Sequence, residues 1–336
     1  METQTIRIAI VLLNWNGKKW LEKFLPALIL FSKEADIFIV DNASEDDSVE
    51  YVKAKFPHIN LILNSENNGY AKGYHDALTK IKADYFVLLN SDVEVTENWL
   101  NPIILLMEDN SSIAACQPKI LDYNNRKQFE YAGASGGFID YLGYPYCRGR
   151  IFDDIEKDTG QYDDVKEIFW ASGACIFIRS IAYHEVGGLD EDFFAHQEEI
   201  DLCWRLKNRG YKIMVQPSSI VYHVGGGTLA VGSSFKTKLN FRNNLYMLFK
   251  NLPIYILLFL LPLRLLLDGL AAIIFITKPQ GIKHVISIIQ AHFEFYLMIP
   301  KLITKRSINK DTNNERYPFS IIYQNKILRK RRFLDL

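Results

Sequence analysis

Apolar runs alternate with amphipathic stretches along the first hundred residues of the chain. Four runs predict strands, and the first is unbroken, as in a parallel strand buried on both faces: IRIAIVLLN, ADIFIVD, INLILN and DYFVLLNSD. The stretches between them, such as GKKWLEKFLPALILFS and GYAKGYHDALTKIKA, have apolar residues at helical spacing. This βαβαβαβ order predicts an α/β fold with a doubly wound, mostly parallel sheet, flanked by helices and joined by right-handed crossovers.

The pattern after Thr96 predicts a less regular order of helices and strands. ENWLNPIILLMED has the pattern of a helix, whereas residues 114–164 are rich in Tyr and Gly and resemble loops with short strands that cover the sheet. Beyond them we predict a strand at 174–179, helices at 180–186 and about 198–209, and a strand at 219–223.

An apolar tail follows this region. Residues 252–276 are long enough to span a bilayer. Arg264 and Asp268 lie in their middle, however, where each charge is costly, and Pro262 would kink a helix. A second apolar stretch, VISIIQAHFEFYLMIPKLI, is a weaker candidate. Peripheral or monotopic membrane attachment is therefore the favoured prediction, and a single span is the alternative.

Charge is unevenly distributed, although the formal net charge is zero. Residues 241–336 carry 15 Lys and Arg against 5 Asp and Glu. Such a basic tail favours an anionic membrane surface as its partner, and no aromatic-interleaved motif indicates nucleic acid. The four cysteines are far apart without a CxxC pair, and the N-terminus lacks the features of a signal peptide, so we expect reduced thiols in the cytosol.

Polar side chains stand at the ends of three predicted strands. They are Asn14 and Asn16, Asp41 and Asn42, and Asn90 and Asp92. Any one of them has an ordinary explanation as a turn or helix-capping residue. Three such strand ends in one parallel sheet converge on the crevice where open α/β sheets bind ligands, which favours a ligand site.

Six carboxylates lie within twelve residues of the second half of the chain: Asp190, Glu191, Asp192, Glu198, Glu199 and Asp201. A helix N-terminus, where acidic side chains complement the macrodipole, would explain several of them. Phe193 and Phe194 make the segment partly apolar, however, and a carboxylate beside aromatic rings can have its pKa raised toward that of a general base. Asp201 and Arg205 are four residues apart and are expected to pair on one helix face.

Two further candidates have structural as well as functional explanations. His223 ends the predicted strand SIVYH before a glycine run, and as a metal ligand it would complement Asp92. Trp170 is either a core residue or part of a site, and Gly173 would let a ligand approach the backbone. The chain has no Walker A motif and no GxGxxG after its first strand, which argues against a P-loop NTPase or a dinucleotide enzyme.

Seven segments, in this order, resemble motifs of the family 2 inverting glycosyltransferases of the GT-A fold: VLLNWNG, IVDNAS, NNGYAKGYHDAL, LLNSDVEV, WASGACIFIR, GGLDEDFFAHQEEIDLCWRLKNRGY and VYHVGGGT. Within that family the chain is similar to the bacterial rhamnosyltransferase-like branch, which builds surface polysaccharides. The resemblance covers about residues 5–230. It implies a GT-A domain at 1–240, with a nucleotide-binding half at about 1–110 and an acceptor half at about 111–240. A helical, membrane-associating region would follow at 241–336.

The resemblance also implies a role for each candidate residue. It places Asn14, Asp41, Asn68 and Gly69 around the donor nucleotide, Asn90 at the ribose, and Asp92 and His223 on a divalent metal, Mg²⁺ or Mn²⁺. It places Trp170 and Gly173 on the acceptor side and makes Glu199 the catalytic base, with Glu198 and Asp201 beside it. Asn90 stands where the family has the first Asp of its Asp-x-Asp motif. Ribose binding should survive this departure, because an amide oxygen also accepts a hydroxyl hydrogen.

We therefore expect a metal-dependent hexosyltransferase, with rhamnosyl transfer as one candidate reaction. It would move a sugar from a nucleotide-sugar donor to a lipid-linked or polysaccharide acceptor in cell-surface glycan synthesis. Its expected location is the cytoplasmic face of the bacterial inner membrane. Two alternatives stay open. A sugar nucleotidyltransferase would normally have a glycine-rich loop where this chain has NWNGKKW, and an inactive glycan-binding subunit would have no need of Asp92, Glu199 and His223 together.

Overall fold

The computed structural model describes residues 6–225, 232–277, 279–306 and 315–336. The part of the predicted glycine run that follows Gly225 lies outside the described residues. The strands are β1 (Ile8–Asn14), β2 (Asp36–Asp41), β3 (Asn60–Leu63), β4 (Tyr85–Asn90), β5 (Val93–Val95), β6 (Ile113–Asp122), β7 (Gly137–Ile139), β8 (Pro145–Cys147), β9 (Arg150–Ile151), β10 (Asp154–Ile155), β11 (Lys166–Ile168), β12 (Cys175–Arg179) and β13 (Lys212–His223). The helices are α1 (Lys18–Phe31), α2 (Ser48–Lys55), α3 (Gly69–Leu78), α4 (Asn101–Asp109), α5 (Ser180–Glu185), α6 (Glu198–Asn208), α7 (Ser234–Asn251), α8 (Ile254–Ile276) and α9 (Gly281–Thr304).

The main sheet has a parallel half and a mixed half. Its strand order within the described residues is β11-β13-β6-β12-β4-β1-β2-β3, with β5 paired to β13. Strands β3, β2, β1 and β4 run parallel, in a register that sets Asn14 beside Asp41 and Leu13 beside Asn90. The predicted fold class is confirmed, and the register brings the polar ends of β1, β2 and β4 to one edge.

Burial on both faces explains why the first strand is an unbroken apolar run. Ala9 and Val11 belong to the core on the face that α3 covers, whereas Ile8 and Ile10 belong to the core on the face that α1 covers. A strand between two helical layers has no solvent-facing positions to fill with polar residues. The alternation seen in half-exposed strands is therefore absent.

The mixed half contains strands that the sequence pattern did not predict. β13 begins at Lys212, seven residues before the predicted start at 219, and its pairing with β6 shifts register between Gln216 and Ile220. Pro217, Ser218 and Ser219 interrupt the apolar pattern at this irregularity. The segment predicted as loops with short strands contributes β6 to the main sheet and forms a separate small sheet, β10-β9-β8-β7.

The three C-terminal helices carry an exposed apolar surface and a charged inner surface. Leu258, Phe259 and Leu266 of α8 and Phe293 and Leu297 of α9 are among their exposed apolar side chains. By length and composition, both helices could cross a membrane. The two charged residues in the middle of α8 point the other way: Arg264 and Asp268 are buried and form an ion pair of 3.5 Å.

Arg264 ties α8 to the α/β domain. Its Nη1 donates to the carbonyl oxygen of Leu142 at 2.8 Å, and its guanidinium lies 3.7 Å from the ring centroid of Tyr144. His292 of α9 contacts Asp268 from the other side, with Nε2 at 3.1 Å from Oδ2. The middle of α8 is therefore packed on protein along one face.

Candidate active site

The ends of β1 and β2 form a hydrogen-bonded polar pair. Asn14 Nδ2 donates to Asp41 Oδ1 at 3.0 Å, and the hydroxyl and backbone amide of Ser44 donate to the same carboxylate at 2.7 and 2.9 Å. Asn14 and Asp41 are both buried. The two sequence-predicted residues are thus brought together, with the carboxylate held in one orientation at the edge of the parallel strands.

Asn68 and Gly69 form the turn into α3, where the backbone needs glycine. Gly69 has a φ of +84°, and a Cβ atom there would lie 2.5 Å from the ring and carbonyl oxygen of Phe194. The backbone amide of Ala71 donates to that carbonyl at 3.0 Å. A cleft of about 340 Å³ opens beside the turn, lined in part by Asn42, Asn64 and Asn68. The turn therefore links this cleft to the acidic segment.

Asp92 and His223 meet because β5 pairs with the end of β13. Val93 lies opposite His223 in the ladder, and Asp92 Oδ1 is 3.2 Å from His223 Nε2. A third residue, Glu130, faces the other ring nitrogen, with Oε1 at 3.2 Å from Nδ1. Burial would lower the pKa of His223, but the carboxylates of Glu130 and Asp92 raise it to about 10.

The Asp92–His223 pair fits one edge of a divalent-cation site. Neighbouring ligands of an octahedral ion with bonds of about 2.1 Å are about 3 Å apart, close to the 3.2 Å between Oδ1 and Nε2. No group of three or more His, Cys, Asp or Glu side chains is arranged for a metal among the described residues. The other ligands would therefore come from a bound diphosphate or water.

The loop before α6 has an unusual backbone. Phe194, His196 and Gln197 have φ angles of 64°, 72° and 68°. Residues with a Cβ atom adopt such angles uncommonly, at a cost of about 1–3 kcal/mol each, and such residues cluster at functional sites. The loop delivers Glu198 and Glu199 to the first turn of α6.

The two glutamates are held with unpaired carboxylate oxygens. Oε2 of each is buried and has no hydrogen-bond partner among the described residues. Burial raises the pKa of Glu199 to about 7. Burial, together with the charge of Glu199, raises the pKa of Glu198 well above its ordinary value. A carboxylate whose pKa lies near 7 is suited to general base catalysis.

Gly173 connects Glu199 to the end of β4. A Cβ atom at Gly173 would lie 3.8 Å from Cβ of Glu199 and 3.1 Å from the hydroxyl of Tyr70, which donates to the Gly173 carbonyl at 2.7 Å. The next residue, Ala174, accepts a hydrogen bond from the backbone amide of Asn90 at 3.0 Å. The acidic segment therefore reaches the same sheet edge as Asn90.

Two sequence-predicted residues lie inside the protein. Trp170 is 3% exposed, and its indole donates to the Phe138 carbonyl at 2.9 Å. Asp201 is fully buried and accepts from Arg205 and Lys250, each at 2.8 Å, and from Asn251 at 2.8 Å. Both of its oxygens are occupied by these bonds. The predicted Asp201–Arg205 pair is present, within a larger network than the spacing alone indicated.

Sequence reasoning missed Glu130 and Tyr70. Glu130 follows β6 in a segment without helical or strand periodicity, so no pattern marked it. Tyr70 lies within the motif NNGYAKGYHDAL, but one turn of helix shows neither that its hydroxyl reaches Gly173 nor that its ring packs on Tyr74, with centroids 4.7 Å apart. The contact of Glu130 with His223 and that of Tyr70 with Gly173 join residues that are distant in sequence.

The arrangement of sheet and helices is that of the GT-A glycosyltransferase fold. The structure of GalNAc-T7 with UDP, GalNAc and Mn²⁺ matches with a TM-score of 0.57 and 17% identity, over 74% of this chain and 48% of that one. The mannosyltransferase PcManGT from Pyrobaculum calidifontis, in complex with GDP-Man and Mn²⁺, matches with a TM-score of 0.50 and 15% identity, over 90% and 73%. These likenesses show the fold.

Residues 9–184, about half of the chain, match the model of glycosyl transferase family 2. The chain belongs to this family. A curated relative, the N-acetylglucosaminyl-diphospho-decaprenol L-rhamnosyltransferase of Mycobacterium tuberculosis, is 23% identical over 233 residues, which cover 64% of this chain and 75% of that protein. The expectation of a glycosyltransferase, and the resemblance on which it rested, are confirmed.

Proposed function

We propose that this glycosyltransferase is inverting and that Glu199 is its base. The observation that carries the proposal is the buried, unpartnered Oε2 of Glu199, in the first turn of α6 and beside Gly173. An inverting transfer is a single displacement at the anomeric carbon. Glu199 takes the proton of the acceptor hydroxyl as that oxygen attacks, and the nucleoside diphosphate leaves. No nucleophile on the enzyme is needed.

The polar ends of β1, β2 and β4 would bind the donor. Asp41, held by Asn14 and Ser44, is ready to accept from the base or ribose. Asn68 lines the cleft, Gly69 forms the turn beside it, and Asn90 is placed to accept from a ribose hydroxyl. Burial, with the charge of Glu199, raises the pKa of Glu198 and so disfavours a second negative charge beside the base.

Asp92 and His223 would hold a divalent cation, Mg²⁺ or Mn²⁺, whose binding would displace the Nε2 proton that the raised pKa of His223 otherwise retains. Their spacing fits, and a GT-A relative is described with Mn²⁺ and a nucleotide sugar. A bound cation would neutralise the negative charge that develops on the leaving diphosphate. Glu130, on the far side of the imidazole, would fix the orientation of His223.

Gly173 would lie on the acceptor side, where its lack of a side chain leaves room beside Glu199. Trp170 and Asp201 would support the site without touching the acceptor, because both are buried and hydrogen-bonded to other protein groups. The acceptor we propose is a lipid-linked or polysaccharide glycan, and the relative named for N-acetylglucosaminyl-diphospho-decaprenol favours the lipid-linked one.

We propose that residues 241–336 attach the enzyme to an anionic membrane, at the cytoplasmic face, as a monotopic protein. The exposed apolar side chains of α8 and α9 would enter the interface. The contacts of Arg264 with Leu142 and Tyr144 support monotopic attachment, because a helix whose middle rests on the α/β domain cannot also lie at the centre of a bilayer.

A panel of nucleotide sugars, incubated with membranes that contain glycan lipids, tests the proposed function. We expect release of a nucleoside diphosphate from one donor, its loss with EDTA, and its return with Mn²⁺ or Mg²⁺. Inversion is checked by the anomeric configuration of the product in NMR spectra. Release of pyrophosphate would instead indicate a nucleotidyltransferase, and binding of glycan without turnover of any donor would indicate an inactive subunit.

A further inference from the structure

Helix α7 binds the backbone of the loop before α6, residues 190–197. This helix lies outside the segment that matches the family model. Asn243 Nδ2 lies 2.9, 2.8 and 2.7 Å from the carbonyl oxygens of Phe193, Ala195 and His196. These carbonyls belong to the part of the chain with positive φ angles. Asn243 is itself fully buried.

The orientation of the Asn243 amide is set by its neighbour. Arg242 Nε donates to Asn243 Oδ1 at 3.0 Å, which leaves the NH₂ group facing the loop. The same guanidinium donates to the carbonyls of Asp192 and Phe193 at 3.2 and 3.0 Å. Two adjacent residues of α7 therefore bind four carbonyls of one loop, those of residues 192, 193, 195 and 196.

The connection continues to the C-terminal end of the loop on one side and to α9 on the other. Gln197, the residue before Glu198, donates through Nε2 to the backbone carbonyl of Asn240 at 3.0 Å, and its Oε1 accepts from Asn244 at 3.1 Å. On the outer side, Arg242 Nη1 pairs with Glu294 of α9 at 2.9 Å. Helix α7 thus stands between α9 and the loop that carries the proposed base.

We infer that Asn243 is a positioning residue for Glu199: its amide holds the left-handed turn of residues 193–197 and so keeps the Glu199 carboxylate facing the acceptor side. The inference rests on the proposed role of Glu199 as base. A loop with three positive φ angles tends to relax unless its carbonyls are bound, and a displacement of about 1 Å at a catalytic group can cost about 100-fold in rate.

Asn243→Asp tests the clamp, by which we mean the hydrogen bonds from the Asn243 amide to the loop carbonyls. The substitution changes the side-chain volume very little. A carboxylate keeps the acceptor for Arg242 but offers the loop carbonyls no hydrogen to bind. Asn240→Asp on the same helix is the matched control, since the side chain of Asn240 makes no hydrogen bond with any described residue. Arg242→Lys is the second variant. It retains the positive charge beside Glu294 but loses the guanidinium hydrogen bonds to Asn243 and to the loop carbonyls.

Two readouts are needed, and they are independent. Hydrogen–deuterium exchange of residues 190–201 reports on the loop, and steady-state kinetics with the donor chosen by the panel report on catalysis. In Asn243→Asp we expect faster exchange and a kcat lowered about 10- to 100-fold, with the donor KM unchanged. We expect a smaller change of the same kind in Arg242→Lys and none in Asn240→Asp.

Unchanged exchange in Asn243→Asp would overturn the clamp. Faster exchange with an unchanged kcat, or with a raised donor KM in place of a lowered kcat, would overturn the positioning role. Faster exchange in an enzyme whose wild type turns over no donor would leave the clamp in place and overturn the proposed function. Loss of the folded state in both Asn243→Asp and Arg242→Lys, with Asn240→Asp stable, would assign Asn243 to folding and overturn its positioning role.

Discussion

Asp92 and Asn90 lie two residues apart at the end of one strand, but their surroundings differ. Asp92 is buried against His223, whereas Asn90 is partly exposed at the sheet edge. The carboxylate is therefore placed to bind a cation, and the amide to bind a hydroxyl group. The distinction between the two side chains can be measured directly.

We expect Asp92→Ala to lower kcat by at least about 100-fold, because it removes the group proposed to hold the cation on the leaving diphosphate. Asn90→Ala should raise the donor KM about three- to tenfold, the effect of one lost hydrogen bond. Steady-state kinetics at saturating and limiting donor separate the two. An equal loss of kcat in both variants would contradict this division of roles.

The raised pKa of Glu199, about 7, predicts the pH dependence of the reaction. The base must be deprotonated, so kcat should fall tenfold per unit as pH decreases below about 7, and reach a plateau above it. Burial and the charge of Glu199 raise the pKa of the adjacent Glu198, and burial raises the pKa of Tyr70. Glu199→Gln should lower kcat by about 10²–10⁴-fold at every pH. A wild-type profile that is flat between pH 5 and 8 would exclude Glu199 as the base.

At the scale of elements, helices α6 and α7 are joined by a buried cluster of charges. Lys250 lies 2.6 Å from Asp190 and 2.8 Å from Asp201. Burial alone would raise the pKa of each carboxylate, but Lys250, together with Lys305 at Asp190 and Arg205 at Asp201, outweighs it and lowers both. Removing one partner of such a cluster leaves uncompensated charges in the interior.

Lys250→Met should therefore lower the free energy of unfolding by about 3–5 kcal/mol, whereas Lys53→Met, at an exposed helical position, should change it by no more than about 0.5 kcal/mol. Carboxylates with lowered pKa values contribute stability that is present above their unfolded pKa, about 3.9, and lost as the pH falls through the lower folded value. The difference between wild type and Lys250→Met should thus shrink in acid. Urea titrations at pH 7 and pH 3 would show it, and a constant difference would contradict the cluster's role.

The sequence predicts most elements from β1 to α6, but it places α7 only within a general helical region at 241–336. The parallel strands are found because burial on both faces leaves continuous apolar runs. Helix α7 has no such signal, since the residues it buries include Asn243, Asn244, Lys250 and Asn251. Their value lies in hydrogen bonds to distant backbone, which periodicity does not register. The sequence pattern does not identify Glu130 for the same reason, because its partner His223 is distant along the chain.

At the scale of the whole molecule, the orientation of α8 and α9 determines on which side of a membrane the turn between them lies. All four native cysteines are buried. A cysteine at the exposed Thr277, after α8, can therefore be labelled selectively, and Ile181→Cys on α5 provides a reference in the α/β domain.

For a monotopic enzyme, we expect a membrane-impermeant thiol reagent to label Thr277→Cys and Ile181→Cys in inverted membrane vesicles and to label neither in intact spheroplasts. The reason is that Arg264, in the middle of α8, contacts Leu142 and Tyr144 of the domain that carries Ile181. Labelling of Thr277→Cys from the outside of spheroplasts would establish a spanning α8 and exclude monotopic attachment.

Membrane attachment through the exposed apolar faces of α8 and α9, as proposed, would also determine which measure of acceptor concentration controls the rate. For the monotopic enzyme that we propose, an acceptor in the same bilayer would reach it by lateral diffusion in two dimensions. Its rate should then follow the mole fraction of acceptor in the lipid, so that adding inert lipid at constant acceptor slows the reaction. The nucleotide sugar, arriving from solution, should obey ordinary bulk saturation. Two substrates of one reaction would thus be governed by two different measures of abundance.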